Sequence, residues 1–469
     1  MNDEKNTPGN EASRLGTQSI AKLLLVFSIP AVTSNIVTAI YNVVARIFVG
    51  RGIEEAALGG LSLVMPIMTI VLAFPILFGV GTANLISIRL GEKRKELAEA
   101  AANHCIWMAI VAGIAVSILG HIFLDPMLSI LGAQEGSISL GYGREYIRII
   151  LYGSVFQFLG MSLANIIRSQ GFPTGAMAGL LISVSINLAL QYPFIYTLRL
   201  GVTGSALATV IAQASMAAFY IIFLRVTKTP VTLSPFRFRV SFRIMGEILT
   251  FGSSQAVAHF AMAYVIALFN ERASYFGEME LAVAHGGDAA LSGMTIASTV
   301  TMIVNMIVFG LSMGAQPIIG YNYGAKQLKR VRKAYTTAVL FATGTAVVGF
   351  VIMFFFAEPL VYLFAPDGSK TLIDFSTTAL RIMSIGLPVV GFQIISSNYF
   401  VAVGRPKTAL FLSLSRQVIF VIPIIYLLSN ALGLIGVIIA GPAADFISSF
   451  VAAIVILHTF RKQRLTEAE

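Results

Sequence analysis

A few ionisable side chains stand where an apolar chain would not ordinarily carry them. Arg416 lies in the middle of the hydrophobic run 408–428, and Asp445 lies well inside the run 434–459. A lone charge in hydrocarbon is costly, so the two are expected to pair or to face water. One reading makes Asp445 a proton acceptor or cation contact whose proton affinity Arg416 tunes. The other makes them a static ion pair that fixes helix packing. His259, midway along 246–270, is the histidine best placed to titrate near neutral pH, and a satisfied packing role fits it as well. His104 and Arg381, near the ends of their runs, are expected to snorkel or pair locally. Glu271, Glu278, Glu280 and Asp288 cluster between two runs, either as a solvated loop or as a region that concentrates cations.

The sequence spells out little other chemistry. It has no Gly-rich phosphate loop with its Lys, no His-x-x-x-His helix, no paired catalytic carboxylates and no Ser/His/Asp set in a credible context. ATP as an energy source and an intramembrane enzyme are therefore not expected. The single Cys105 allows neither an internal disulfide nor a thiolate metal cluster, and no metal or organic cofactor is anticipated.

The elements that must hold these groups follow from composition. Of 469 residues, 57% are hydrophobic and 12% charged, with a mean hydropathy of +0.83. Soluble domains carry about 25% charged residues, so much of this surface meets lipid. Twelve runs are drawn at 20–45, 57–86, 98–121, 143–165, 174–196, 203–225, 246–270, 291–318, 334–357, 378–401, 408–428 and 434–459. Since a spanning helix needs roughly 20 apolar residues, these predict an all-α integral membrane protein of twelve transmembrane helices. An even count puts both termini on one side. Most of the 32 Lys and Arg fall there too, among them Lys93, Arg94, Lys95, Arg225, Lys326, Arg330 and Arg461. Basic loops stay in the cytoplasm, so both termini are expected inside. The net charge of +10 then reports topology and not a nucleic-acid partner. The expected organisation is a cytoplasmic tail over 1–19 with no signal-peptide core, an N-terminal lobe over 20–226, a basic linker over 227–245 with Pro230 and Pro235, a C-terminal lobe over 246–459, and a tail over 460–469.

The two lobes repeat each other. A shift of 233 positions lays Ala56, Ala57, Leu58 and Gly60 on Ala289, Ala290, Leu291 and Gly293. It also lays Gly81, Ile86, Gly91 and Lys93 on Gly314, Ile319, Gly324 and Lys326, and Asn165, Gly171 and Pro173 on Asn398, Gly404 and Pro406. After one deletion, Leu200, Gly201 and Gly204 meet Leu432, Gly433 and Gly436. Six spans per copy give both copies one orientation, which predicts two six-helix bundles related by a pseudo-two-fold axis along the membrane normal. Such bundles suit alternating access about a central cleft. Pro30, Pro66, Pro75, Pro317, Pro388, Pro423 and Pro442, inside or near the ends of spans, either bend helices for that movement or serve as packing features.

The run Gln316-Pro317-Ile318-Ile319-Gly320-Tyr321-Asn322-Tyr323-Gly324-Ala325 closely resembles the signature after the eighth helix of the multidrug and toxin extrusion (MATE) transporters. Tyr41-Asn42-Val43-Val44 with Arg46-Ile47-Phe48-Val49-Gly50, Arg168 with Gly171 and Pro173, Gly201-Val202-Thr203-Gly204, Arg416-Gln417 with Pro423, and Gly441-Pro442 with Asp445 resemble the same family. The branch looks prokaryotic and DinF/MepA-like. The resemblance implies twelve helices in two lobes in the cytoplasmic (inner) membrane of a prokaryote, export of amphiphilic and often cationic compounds, and coupling to a proton or sodium gradient. It also exposes a departure. Ala45 stands where relatives carry an Asp in the first helix, and Gln191 and Tyr192 replace the Asp-Pro of an Asn-x-x-x-Asp-Pro pattern that begins at Asn187. The resemblance makes Ala45, Asn187, Gln191 and Thr209 an N-lobe cation site stripped of its carboxylates. A desolvated carboxylate binds sodium or takes up a proton; Ala45 does neither, and Gln191 offers only an amide oxygen. The coupling is then expected in the C-lobe, at Asp445, Arg416 and His259.

For a substrate, the resemblance puts Met65, Met68, Met262, Met294, Met302, Met306 and Met313 on helices flanking the cleft, where flexible thioethers would accept varied apolar cations; gap-filling is the plainer role for any single Met. The expected partners are a small amphiphilic molecule and membrane lipid, with the protein acting as a monomer. Two other readings stay open: a lipid-linked oligosaccharide flippase, which should carry a more cationic cleft than this one, and a transport-impaired binding or sensing relative that has lost its acids.

Overall fold

The structure, a computed structural model, describes residues 10–468 apart from 54, 131–137, 235–239, 282–285 and 367–368. The described residues form helices and no strands. Lys5, Pro8, Pro235, Arg237 and Arg239 lie outside them. The chain runs through α1 (Ile20–Gly52), α2 (Glu55–Gly91), α3 (Lys95–Ile122), α4 (Ile138–Ser169), α5 (Pro173–Tyr192, extended by a π turn at Pro193–Thr197) and α6 (Gly201–Val226). It continues as α7 (Phe242–Glu280), α8 (Gly286–Gly324), α9 (Leu328–Phe355) and a bent α10 (Lys370–Ser384 and Leu387–Ala402). Helix α11 holds Pro406–Leu414, a π turn at Ser415–Phe420 and residues 421–432; α12 covers 434–468.

Ten helical stretches are long and apolar enough to cross a bilayer, and the α10 pair, bent by 48°, is an eleventh. One of the ten, Pro406–Lys462, is 57 residues long, more than twice the length a crossing needs. Gly433 breaks it with φ 61° and ψ −136°, so it makes two passes and the total is twelve. Glu280 at the end of α7 fixes that break: both its carboxylate oxygens accept from the Leu434 amide at 3.1 Å. A Cβ on Gly433 would lie 1.6 Å from the Glu280 carboxylate, so the reversal requires glycine twice over, for its dihedrals and for its space.

The duplication seen in the sequence is physical. Left-handed residues recur in pairs at the same shift: Lys93 with Lys326, Gly171 with Gly404, and, one residue short, Gly201 with Gly433. Pro173 and Pro406 then open α5 and α11 from the first turn, where a missing N–H costs nothing. Packing repeats as well. In the first half α1 packs on α5, α2 on α3 and α4, and α4 on α6; in the second half α7 packs on α11, α8 on α9 and α10, and α10 on α12. Between halves, α1 meets α8 and α2 meets α7, the exchange a two-fold axis demands, while α2 and α8 meet each other on that axis.

These contacts between halves concentrate at the end of the bundle that carries the basic loops. Near that end Gly81 abuts the Ile248 carbonyl, and its counterpart Gly314 abuts Ser28. At the terminus Gly91 and Gly324 cross: a Cβ on Gly91 would sit 2.0 Å from the Tyr321 carbonyl, and one on Gly324 would sit 2.1 Å from the Ile88 carbonyl. Ile88 and Tyr321 are themselves repeat mates. Arg89 of α2 adds an ion pair across the halves to Glu247 of α7 at 3.1 Å, while also holding Glu92 at 2.9 Å. The segment before α1 reaches over as well: Arg330 donates to the Leu15 and Gln18 carbonyls at 3.1 and 2.7 Å, and Asn322 donates to Leu15 at 2.9 Å.

The segment between halves is tied down along its described length. Glu99, Asn103 and His104, on one face of α3, accept from the backbone amides of Thr232, Ser234 and Ser241. Gln170 accepts from Val231 at 2.9 Å. Helix α7 begins at Phe242, a turn before the apolar run.

Candidate functional site

The two charges within apolar runs do meet. Arg416 Nε donates to Asp445 Oδ1 at 2.7 Å, with side-chain exposures of 19% and 16%. Two irregularities bring them together. The π turn Ser415–Phe420 turns Arg416 off the regular helical face, a device common at functional positions. The break in α10 places Gly386 against the other oxygen: a Cβ there would lie 3.0 Å from Asp445 Oδ2. Asp445 thus sits between the bend of α10 and the bulge of α11. His259 is half-buried on α7 and makes no hydrogen bond with either of them. Arg381 donates to the Phe354 carbonyl at 3.3 Å, a local helix-end contact.

The N-lobe cluster is neutral. Asn187 Nδ2 donates to Thr209 Oγ1 at 3.2 Å, Thr209 donates to the Ser205 carbonyl at 3.0 Å, and Gln191 Nε2 reaches Ser205 Oγ at 3.5 Å. Tyr41 of α1 and Tyr146 of α4 bond to the same Thr209 hydroxyl. Asn187 is 2% exposed and Gln191 0%, yet Asn187 Oδ1 and Gln191 Oε1 have no partner. Buried amide oxygens rarely go unsatisfied, so this cluster has two acceptors open to a guest that donates or carries positive charge. Ala45 is half-buried on α1, which packs against α5. No three His, Cys, Asp or Glu side chains converge among the described residues.

The methionines divide. Met65, Met262 and Met302 are 43%, 47% and 46% exposed on α2, α7 and α8, the helices that meet across the halves. Met306 offers its carbonyl to Asn35 of α1 at 3.0 Å, at the junction itself. Met68 packs on the N-lobe core, and Met294, 8% exposed, is packed within the C-lobe core and faces no open space.

The acidic cluster between α7 and α8 has structural employment. Glu278 Oε2 accepts from the Gly287 amide at 2.8 Å at the start of α8, and Glu280 accepts from Leu434 at the start of α12. Both place a carboxylate at the positive end of a helix, where it is favourable. Sequence reading missed these caps, as it missed the α3 face that holds the linker.

Two homologous six-helix lobes in lipid, meeting at one end and separated by polar and methionine-bearing helices, define a polytopic membrane transporter fold. The MatE family model matches residues 30–193 and again 272–427, once per lobe, and the chain belongs to the MatE family. It is 25% identical over 448 residues, 95% of either chain, to the multidrug export protein MepA of Staphylococcus aureus (strain MRSA252). It is 25% identical over 438 residues, 93% of either chain, to MepA of Staphylococcus haemolyticus (strain JCSC1435). The fold superposes with a TM-score of 0.90 at 24% identity on a crystal structure of MATE in the bent conformation, covering 99% of this chain and 100% of that one. The protein is thus a multi-pass membrane protein of the MepA-like branch.

Proposed function

We propose that this protein exports amphiphilic cations across the inner membrane by alternating access, driven by a proton or sodium gradient. Support for the class comes from MepA-type relatives aligned over 95% of the chain. Support for the mode comes from one observation: the lobes touch closely at the Gly91–Gly324 crossing, at the end that carries the basic loops. Basic loops remain in the cytoplasm, so that end is the inner one and this arrangement is closed to the cytoplasm. Lobes 20–226 and 246–459 then rock about the shared axis, with the protein acting as a monomer.

Coupling is assigned to Asp445. The Arg416–Asp445 pair is the one ion pair among the described residues set well inside an apolar span, and it is wedged at a helix bend. Protonation or cation capture at Asp445 would release Arg416 and with it the packing of α10, α11 and α12. Asn187, Gln191 and Thr209 supply neutral oxygens that suit a weakly held cation, with Ala45 contributing none. His259 is a secondary candidate on α7. Met65, Met262, Met302 and Met306 are assigned to the substrate cleft. Dye efflux from everted vesicles under imposed proton and sodium gradients tests the assignment. Accumulation driven by one gradient is expected, whereas no gradient-dependent flux would favour a binding or sensing protein.

A further inference from the structure

Arg168 is the penultimate residue of α4, and nothing in the export cycle employs it. No carboxylate pairs with it among the described residues, and its one hydrogen bond there runs from Nη1 to Asn165 Oδ1 at 3.1 Å. A guanidinium has five N–H donors and does not lose its charge. The remaining donors face a pocket lined by Asn84 and Ser87 of α2, Asn165, Arg168 and Ser169 of α4, and Gln316 of α8. Its free volume is about 10 Å³, the room for one small guest. The other polar groups of the wall are largely committed: Asn84 donates to the Val80 carbonyl, Ser87 to Ala83 and Ser169 to Ile166, each along its own helix. Gln316 makes no hydrogen bond among the described residues. The pocket therefore presents an unpaired cation and a free amide, one from each lobe.

The repeat sharpens the point. At the shift of 233 residues the counterpart of Arg168 is Val401, fully buried in the C-lobe core. Asn398, the counterpart of Asn165, spends its amide on Ser312 at 2.6 Å and its oxygen on Gln255. The fold needs no charge at this station, because one of its two copies does without it.

We propose that Arg168, Asn165 and Gln316 form a binding site for a small monovalent anion of the halide class, between the two lobes near the basic end. A guanidinium at a C-terminal helix end is favourable in itself, but burial without a carboxylate leaves its charge uncompensated, and a halide supplies the missing charge in a space too small for phosphate. Because α2 and α4 belong to one lobe and α8 to the other, a bound anion would hold the lobes in the arrangement seen here.

Thermal unfolding of the full-length protein in detergent tests this, with sodium chloride, bromide, phosphate or gluconate added at constant ionic strength. Chloride and bromide should raise the melting temperature in a saturable way, and phosphate should do no more than gluconate. Arg168→Gln should weaken the halide midpoint about tenfold or abolish the response. Gln316→Ala, which leaves the buried cation in place, should weaken it by a smaller factor and serves if the Arg168 variant does not fold. Equal responses to chloride and gluconate, or an unchanged halide midpoint in either folded variant, would overturn the site. A response to phosphate and not to chloride would overturn its halide assignment.

Discussion

Replacing Gly324 by Ala puts a methyl group into the crossing of α2 and α8. Its Cβ would lie 2.1 Å from the Ile88 carbonyl and 3.1 Å from the Glu92 amide, and Gly91→Ala meets the Tyr321 carbonyl at 2.0 Å in the mirror-image contact. The shorter distances fall about 1 Å inside van der Waals contact, and backbone cannot swing aside as a side chain does. Overpacking of this kind costs roughly 1–3 kcal/mol. The cost falls on the arrangement in which the two ends touch and vanishes when they part. Helix propensity favours Ala over Gly by about 0.5–1 kcal/mol, but equally in both arrangements, so it cancels. The equilibrium should therefore move toward lobes separated at the basic end by about 5- to 150-fold, at 1.4 kcal/mol per decade. The reporter is Ser28→Cys in a Cys105→Ala background: Ser28 is 2% exposed and lies against Gly314 between the lobes. Its modification by an impermeant maleimide, added to the basic side of everted vesicles, should accelerate about tenfold in Gly324→Ala and further in the double variant. An unchanged rate, with both variants folded and inserted, would refute the claim that this crossing closes the pathway.

Other substitutions probe the remaining parts of the account. Asp445→Asn should impair gradient-driven efflux while the protein still inserts and folds; wild-type efflux in that variant would remove Asp445 from coupling. Arg416→Gln with Asp445→Asn should recover thermal stability lost in Arg416→Gln alone, since one uncompensated charge is worse than none, and a double variant no more stable than the single would argue against a coupled pair. Gly433→Ala should lower the melting temperature by an amount equivalent to about 1–3 kcal/mol, from a forced left-handed Cβ and a clash with Glu280; an unchanged melting temperature would show that the reversal does not depend on glycine. Ala45→Asp with Gln191→Asp should increase the cation dependence of efflux at the two open amide oxygens, and an unchanged dependence would mean that this cluster is not a dormant coupling site.

Much of the fold was legible because lipid imposes a simple rule on sequence. Every apolar run became a helix, and the 233-residue register reappeared as paired left-handed residues and exchanged helix contacts. The Arg416–Asp445 pair was legible for the same reason: charges that cannot meet water must meet each other. Irregular elements were harder. The bend at Ile385 and Gly386 lies inside a run that hydropathy reads as continuous, and the short helices Leu124–Ile130 and Ala357–Phe364 lie outside the drawn runs or at a run's end. The capping roles of Glu278 and Glu280 were hidden because Glu280 serves an amide 154 positions away. The hold of Glu99, Asn103 and His104 on the linker likewise joins residues more than 130 positions apart, where no local pattern can show it.

The central claim is that the two lobes must separate at the basic end for each round of export. Glu92→Cys with Ala325→Cys, repeat mates beside the Gly91–Gly324 crossing, in a Cys105→Ala background, allow a short thiol cross-link there. Efflux from vesicles should vanish when the link forms and return when it is reduced. Full efflux with the lobes locked together at that point would contradict the mechanism.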